Sequence, residues 1–185
     1  MCYNEYSKLI DNGKAGVIMD FQALAARAAA SLNPGILLNT NGEKFNSMVI
    51  GWGHAGILWN LDTFVVYVRQ SRYTKAQLDT TGAFTISAPL EGRRLSAEVM
   101  NACGSQSGRD IDKAGLFTLV PGRKIDVPAI REYPLTLECK VLYRQDQALD
   151  AIPEELRARF YSHGNDAGDF HTAYIGQIMD AYIIE

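Results

Sequence analysis

Cysteine is scarce in this 185-residue chain: Cys2, Cys103 and Cys139 are an odd number at wide spacing, with no C-x-x-C pair. That pattern argues against a disulfide framework and against a cysteine zinc site. Free thiols suit a reducing compartment, so a cytoplasmic location is expected. Histidine is equally rare, and His54, His163 and His171 do not share the spacing of a metal-binding helix, so no metal site is expected. No apolar run reaches the roughly 18 residues a membrane helix requires. The first residues carry Glu5 and Asp11 and lack the apolar stretch of a signal peptide. An excess of positive charge is also missing: 18 Lys and Arg stand against 21 Asp and Glu, a net charge of −3. A nucleic-acid surface would need clustered cations in excess. Finally there is no G-x-G-x-x-G and no regular series of long crossover helices, which argues against a doubly wound parallel sheet.

What remains is an ordinary globular composition, 47% hydrophobic and 21% charged, enough for one domain with a sizeable core. Residues 1–19 are weakly patterned and read as an arm. Asp20 is placed to cap an alanine-rich helix, DFQALAARAAASL, that Asn33-Pro34-Gly35 ends. Residues 35–40 and 44–52 read as a hairpin around Asn41-Gly42. A glycine-rich link (Gly51, Gly53, Gly56) then leads to a strand from Thr63 to Arg69. Thr74 is expected to cap a short helix that Gly82 stops, and Ala83–Ala88 to form a strand ended by Pro89. A helix over 93–102, with Leu95, Val99 and Met100 inward, should run into a polar loop, Cys103 to Asp110. A helical turn is expected near Lys113, then a Pro-punctuated surface stretch from Pro121 to Pro134. Residues 135–143 and 171–178 alternate as strands, separated by a charged helix over 153–161 and a mobile loop over 163–169. Hairpins, alternation and short peripheral helices predict a mainly β protein, an antiparallel barrel whose closure removes exposed edges.

Polar chemistry collects where apolar strands end. Asn46-Ser47-Met48 precede Val49-Ile50-Gly51-Trp52, and the strand Phe64–Val68 gives way to Arg69-Gln70-Ser71-Arg72-Tyr73-Thr74. Each residue alone reads as a solvated strand end. Together, guanidinium groups beside the free N–H groups of a helix start suit an anion such as phosphate. The cations cluster at Arg69/Arg72/Lys75 and at Arg109/Lys113, which suggests a small anionic ligand. The loop Cys103-Gly104-Ser105-Gln106-Ser107-Gly108-Arg109-Asp110 is either a helix cap followed by a surface turn or a donor-rich clamp. No histidine lies near Cys103 to activate it as a nucleophile. Trp52, Trp59, Tyr67 and Tyr174 read as core or interface packing, with Trp52, beside the polar turn, the one to single out.

In sequence order, NSMVIGWG, VYVRQSRYT, FTISAP, CGSQSGRDIDK and LTLECK resemble the flavin reductase-like proteins with an FMN-binding split barrel, most of all the flavoredoxin-type branch. The likeness runs from about Gly35 to Tyr182 and leaves 1–34 as an N-terminal arm and helix before a domain at 35–185. It implies a homodimer of six-stranded antiparallel barrels holding FMN near the interface. On this resemblance Asn46, Ser47, Met48 and Val49 line the flavin ring, together with Val68, Arg69, Gln70 and Ser71. Arg69, Ser71, Arg72 and Thr74 would hold the ribityl chain and phosphate. The loop containing Cys103, Gly104, Ser105, Ser107, Gly108 and Lys113 would close over the flavin, and His171 would lie near its ring as the one candidate for a catalytic role. The expected activity is FMN-dependent oxidoreduction, with NADH or NADPH as reductant and a flavin, a small molecule or a redox protein as acceptor. Two other readings stay open: an electron-transfer protein reduced by a partner protein, and a flavin- or haem-binding protein without turnover.

Overall fold

The computed structural model describes residues 20–90, 93–163 and 167–185. The expected arm and the middle of the expected loop at 163–169 lie outside these residues. Helix α1 (Phe21–Ala30) starts as anticipated, with Asp20 accepting from the Gln22 N–H. Strands β1 (Ile36–Asn41) and β2 (Phe45–Ile50) pair from Ile36–Ile50 to Asn41–Phe45, and residues 42–44 make the turn. Helix α2 (Tyr73–Thr81) ends at Gly82, whose φ of 62° is the left-handed conformation glycine adopts without strain.

The glycine-rich link is a correction. Gly53–Leu58 is itself a strand, β3, paired with β4 (Leu61–Arg69) through a two-residue turn at Trp59 and Asn60, both at positive φ. Two glycines and no consistent alternation hid it, because most of β3 faces solvent and no apolar face had to run along it. The helix expected over 93–102 is also shifted. Helix α3 (Ala97–Ser105) begins behind a Ser96 cap and takes Cys103, Gly104 and Ser105 into its last turns. The stretch from Pro121 to Pro134 is more than surface cover. Val127, Ala129 and Ile130 are buried, and a small ribbon of β6 (Leu119–Val120) and β7 (Ala129–Ile130) lies within or beside it.

With β5 (Ala83–Ala88), β8 (Leu135–Asp146), α4 (Glu154–Tyr161) and β9 (His171–Ile183), the main sheet has seven antiparallel strands rather than six. Their order is β2-β1-β5-β8-β9-β4-β3. The sheet is open, which corrects the expectation of closure: no ladder joins β2 to β3. Yet these end strands are consecutive in the chain, joined by Gly51 and Trp52 alone, so the sheet curls until its two ends share a corner. This is the split in the barrel.

The inner face holds Ile36, Leu38, Phe64, Val66, Val68, Phe84, Ile86, Leu135, Leu137 and Tyr174, and α1 adds Leu24, Ala25 and Ala28. Each large side chain so buried contributes about 1.5–3 kcal/mol. Gly176 makes room here, since a Cβ at that position would lie 2.6 Å from the Phe84 ring. A second apolar cluster on the other face joins Leu37 and Phe45 to Leu95, Val99 and Cys103 of the α3 region. β1 is therefore buried on both faces, which explains its unbroken Ile36-Leu37-Leu38 run. No helix among the described residues is long and apolar enough to cross a membrane.

Candidate functional site

A cleft of about 220 Å³ opens at the split, lined by Met48, Val49, Ile50, Gly51, Trp52, Tyr67, Arg69, Arg72 and His171. β2 supplies one wall, while β4 and the start of β9 supply the other. Strand periodicity selects the side chains. Met48 is half-buried on the cleft side, whereas Ser47 turns away and its hydroxyl donates to Asn39 Oδ1 at 2.8 Å, directly across the β1–β2 ladder. On β4, Tyr67 and Arg69 reach the cleft, while Val68 between them is fully buried in the core. Tyr67, Ile50 and Gly51 were not singled out from the sequence. The signal for the first two was present: each lies two residues from a chosen neighbour on the same strand face.

The cleft thus gathers six of the expected residues: Met48, Val49, Trp52, Arg69, Arg72 and His171. The others lie elsewhere. Thr74 is not a helix cap; Arg72 holds that position, and the buried Thr74 hydroxyl accepts from Asn46 Nδ2 at 2.7 Å. Cys103 is 2% exposed in the second apolar cluster, where burial pushes its thiol pKa up against the opposing charge of Lys113. Lys113 is equally buried; its ammonium donates to the carbonyls of Ser47 at 2.8 Å and Gln106 at 2.9 Å. Burial holds its pKa below the usual lysine value, opposed by Cys103 and reinforced by Arg72. It fastens the loop after α3 onto β2. Gly104 packs near Val49, Gly108 lies beside Ile111, and the Ser105 hydroxyl turns back to the Asn101 carbonyl. Arg109 pairs with Glu43 at the surface. One junction foreseen from the residues is formed: Ser107 Oγ accepts the Tyr73 N–H at 3.0 Å, so the polar loop meets the start of α2.

The rim carries a dense set of contacts. Arg69 donates from Nη1 to the Asp169 carbonyl at 2.8 Å and from Nη2 to the Phe160 carbonyl at 3.1 Å, with its guanidinium 5.4 Å from the Tyr161 ring centre. Ser71 gives both its N–H (3.0 Å) and its hydroxyl (2.6 Å) to the Asp169 carboxylate. Gln70 reaches Thr172 Oγ1 at 2.6 Å. Trp52 is not buried core; it is 38% exposed, and it lies 4.6 Å from the His171 ring, centre to centre, with Phe160 edge-on at 5.2 Å.

The arrangement joins an apolar wall to a cationic end, with an imidazole between aromatic faces. Such a surface receives a flat, largely apolar group bearing an anionic tail. Beside the cleft, the Ser71 N–H and O–H converge on two oxygens of one anionic group, the Asp169 carboxylate.

The architecture defines a flavin-type split barrel. A family model described as the flavin reductase like domain matches residues 35–185, and the chain belongs to that family. Among solved structures it is similar to flavoredoxin from Methanosarcina acetivorans, at 26% identity and a TM-score of 0.58, covering 82% of this chain and 68% of that one. Flavoredoxin of Desulfovibrio vulgaris (Miyazaki F) is 28% identical with a TM-score of 0.56, over 82% of this chain and 69% of the other. An FMN-binding protein from Thermus thermophilus shares the fold at 17% identity and a TM-score of 0.59, over 95% and 82% of the two chains.

Proposed function

We propose that this chain is an FMN-binding oxidoreductase, with the flavin held in the cleft at the split. The observation that carries the reading is the pairing of an apolar wall (Met48, Val49, Ile50, Trp52, Tyr67) with Arg69 and Arg72 at one end of the same cleft. A bound flavin supplies the redox chemistry, accepting reducing equivalents at its ring. The chain's own work is to bind and orient. β2 and Trp52 offer apolar surface to a ring system, and Arg72 offers positive charge to a phosphate. Arg69 lines the same end but is also tied to carbonyls of the α4 segment, so its charge is pre-positioned. No nucleophilic side chain is required, in keeping with the burial of Cys103 behind β2.

The reductant in this reading is NADH or NADPH, and the acceptor is a flavin, a small molecule or a redox protein. A homodimer is part of the reading. Its support is the apolar exposure of Ile57 and Leu58 on β3, of Trp59 in the turn after it, and of Leu142 and Tyr143 on β8, with the Trp59 and Tyr143 rings 6.5 Å apart.

Titration with FMN and with riboflavin tests the site. Arg72→Ala is expected to weaken FMN by about 10- to 100-fold, the equivalent of ~1.5–3 kcal/mol for a lost charge-assisted hydrogen bond, and to leave riboflavin nearly unchanged. Equal weakening of both would remove Arg72 from the phosphate, and no binding of either would overturn the reading. Oxidation of NADH or NADPH by the FMN-loaded protein separates turnover from electron transfer driven by a partner protein.

A further inference from the structure

A groove of about 390 Å³ lies between α2 and the turn joining β1 to β2. It is larger than the cleft and falls within the roughly 300–1,000 Å³ that small-molecule sites occupy. One face of α2 forms its wall: Tyr73, Ala76, Gln77, Thr80 and Thr81 recur at helical spacing. Gln77 holds the groove in shape, its amide oxygen accepting from the Thr40 hydroxyl at 2.6 Å and its Nε2 donating to the Lys44 carbonyl at 3.0 Å. The Thr80 and Thr81 hydroxyls donate to the Ala76 and Gln77 carbonyls and keep only acceptor capacity. At the rim Arg109 is paired with Glu43, so these two charges cancel. Tyr73 is the exception. Its N–H is taken by Ser107, but its hydroxyl is buried and meets no hydrogen-bond partner among the described residues. Glu43 first, and Tyr73 after it, raise the Arg109 pKa, so the guanidinium stands near the phenol. A guanidinium only donates, which leaves the phenol proton without an acceptor. A buried donor in that state is uncommon in a folded protein, and its acceptor has to come from outside the chain.

We propose that this groove is a second binding site, for a flat neutral base whose edge sets a hydrogen-bond acceptor beside a donor, as adenine does. Tyr73 donates to the ring nitrogen, and the Glu43 carboxylate accepts from the amino group. Arg109, next to both, holds them in place. The cancelled charges at the rim disfavour a ligand whose buried group is itself an ion. Arg72 lines the cleft and Tyr73, the next residue, lines the groove, so the two adjoin at the start of α2. The adenosine belongs either to a free nucleotide or to a dinucleotide whose flavin occupies the cleft. Only the second source rests on the flavin reading.

Calorimetric titration of the full chain with adenosine, without flavin, tests the groove. Adenosine is expected to bind with a Kd of about 1 mM or tighter. Tyr73→Phe should weaken it about tenfold and leave Tm unchanged or higher, since the phenol proton has no partner to lose in the free protein. Purine riboside, which lacks the amino group, should also bind about tenfold more weakly than adenosine. Thr80→Trp, at an exposed position on the groove wall, should abolish adenosine binding and leave riboflavin binding unchanged. No adenosine binding to wild type overturns the proposal, as does binding unmoved by Thr80→Trp. A lower Tm in Tyr73→Phe would show the hydroxyl already paired and overturn its role; equal binding of purine riboside would overturn that of Glu43. FAD and FMN then separate the sources. FAD binding tighter than FMN, with the gain lost in Thr80→Trp, assigns the base to a dinucleotide. Equal affinities, with AMP binding alongside FMN, assign it to a free nucleotide. A chain that binds adenosine but no flavin overturns the flavin reading alone.

Discussion

Asp169 holds Ser71 by two hydrogen bonds, one carboxylate oxygen on the N–H and the other on the hydroxyl. The pair ties the segment before β9 to the link between β4 and α2, one residue from Arg72. An internal anion therefore occupies donors that suit a ligand's phosphate, within the cationic rim.

Asp169→Asn is expected to tighten FMN about tenfold, the equivalent of ~1.4 kcal/mol, and to leave riboflavin unchanged. The amide keeps one acceptor for Ser71 while removing a charge that repels the incoming phosphate. Parallel titrations at low and high salt check this, because the gain should shrink as salt rises. A variant that weakens both ligands would make Asp169 a tether only.

Asp79 of α2 gathers three partners: Lys75 Nζ at 2.7 Å, the Tyr174 hydroxyl at 2.6 Å, and Arg144. Burial raises its pKa, but the hydrogen bonds from Lys75 and Tyr174 and the charges of Lys75 and Arg144 outweigh this, and the net shift is downward. A carboxylate with a depressed folded-state pKa adds stability above its unfolded value of roughly 3.9, and that stability is lost as pH falls through the folded value. Asp79→Asn should thus cost on the order of 1–2 kcal/mol at pH 7, with the gap closing below about pH 4. Urea unfolding across this range is the measurement; a gap independent of pH would assign the loss to packing against Tyr174.

Glu138 is fully buried on β8, and its carboxylate accepts from the N–H groups of Arg123, Lys124 and Ile125 and from the Tyr182 hydroxyl. This one side chain anchors the loop that carries residues 122–126 against the sheet. Glu138→Gln replaces an acceptor oxygen with an NH₂ that faces donors, and about 2–3 kcal/mol of stability should be lost. Thermal unfolding checks the size. Hydrogen exchange should show the loss of protection confined first to the 122–126 amides, and a uniform loss would refute the anchoring role.

Much of the fold was legible because its signals are local. Asp20 before an alanine-rich run, Asn41-Gly42 between apolar segments and Gly82 after α2 each act through a neighbour a few residues away. β3 was not legible, since an exposed strand with two glycines carries no burial pattern. Its pairing is decided by β4 and by the turn at Trp59-Asn60. The open sheet was equally hidden, because whether two strand ends join depends on the curl of all the strands between them.

The candidate site divides along the same line. By itself the sequence determined that hydroxyls, amides and guanidinium groups end the strands near Asn46 and Arg69, and that the chain falls in the flavin reductase-like family. Strand alternation also dictated, in principle, that Tyr67 rather than Val68 accompanies Arg69. Only the tertiary structure decided that Ser47, Thr74, Cys103 and Lys113 turn inward to hold β1, β2 and the loop after α3 together. It alone brought Gln147 and Tyr161 around His171, and Asp169 onto Ser71. Those partners lie 10 to 98 residues apart in the chain. A hydrogen bond at that separation has no sequence signature, because it depends on where the whole sheet carries its strands and not on the residues beside each partner.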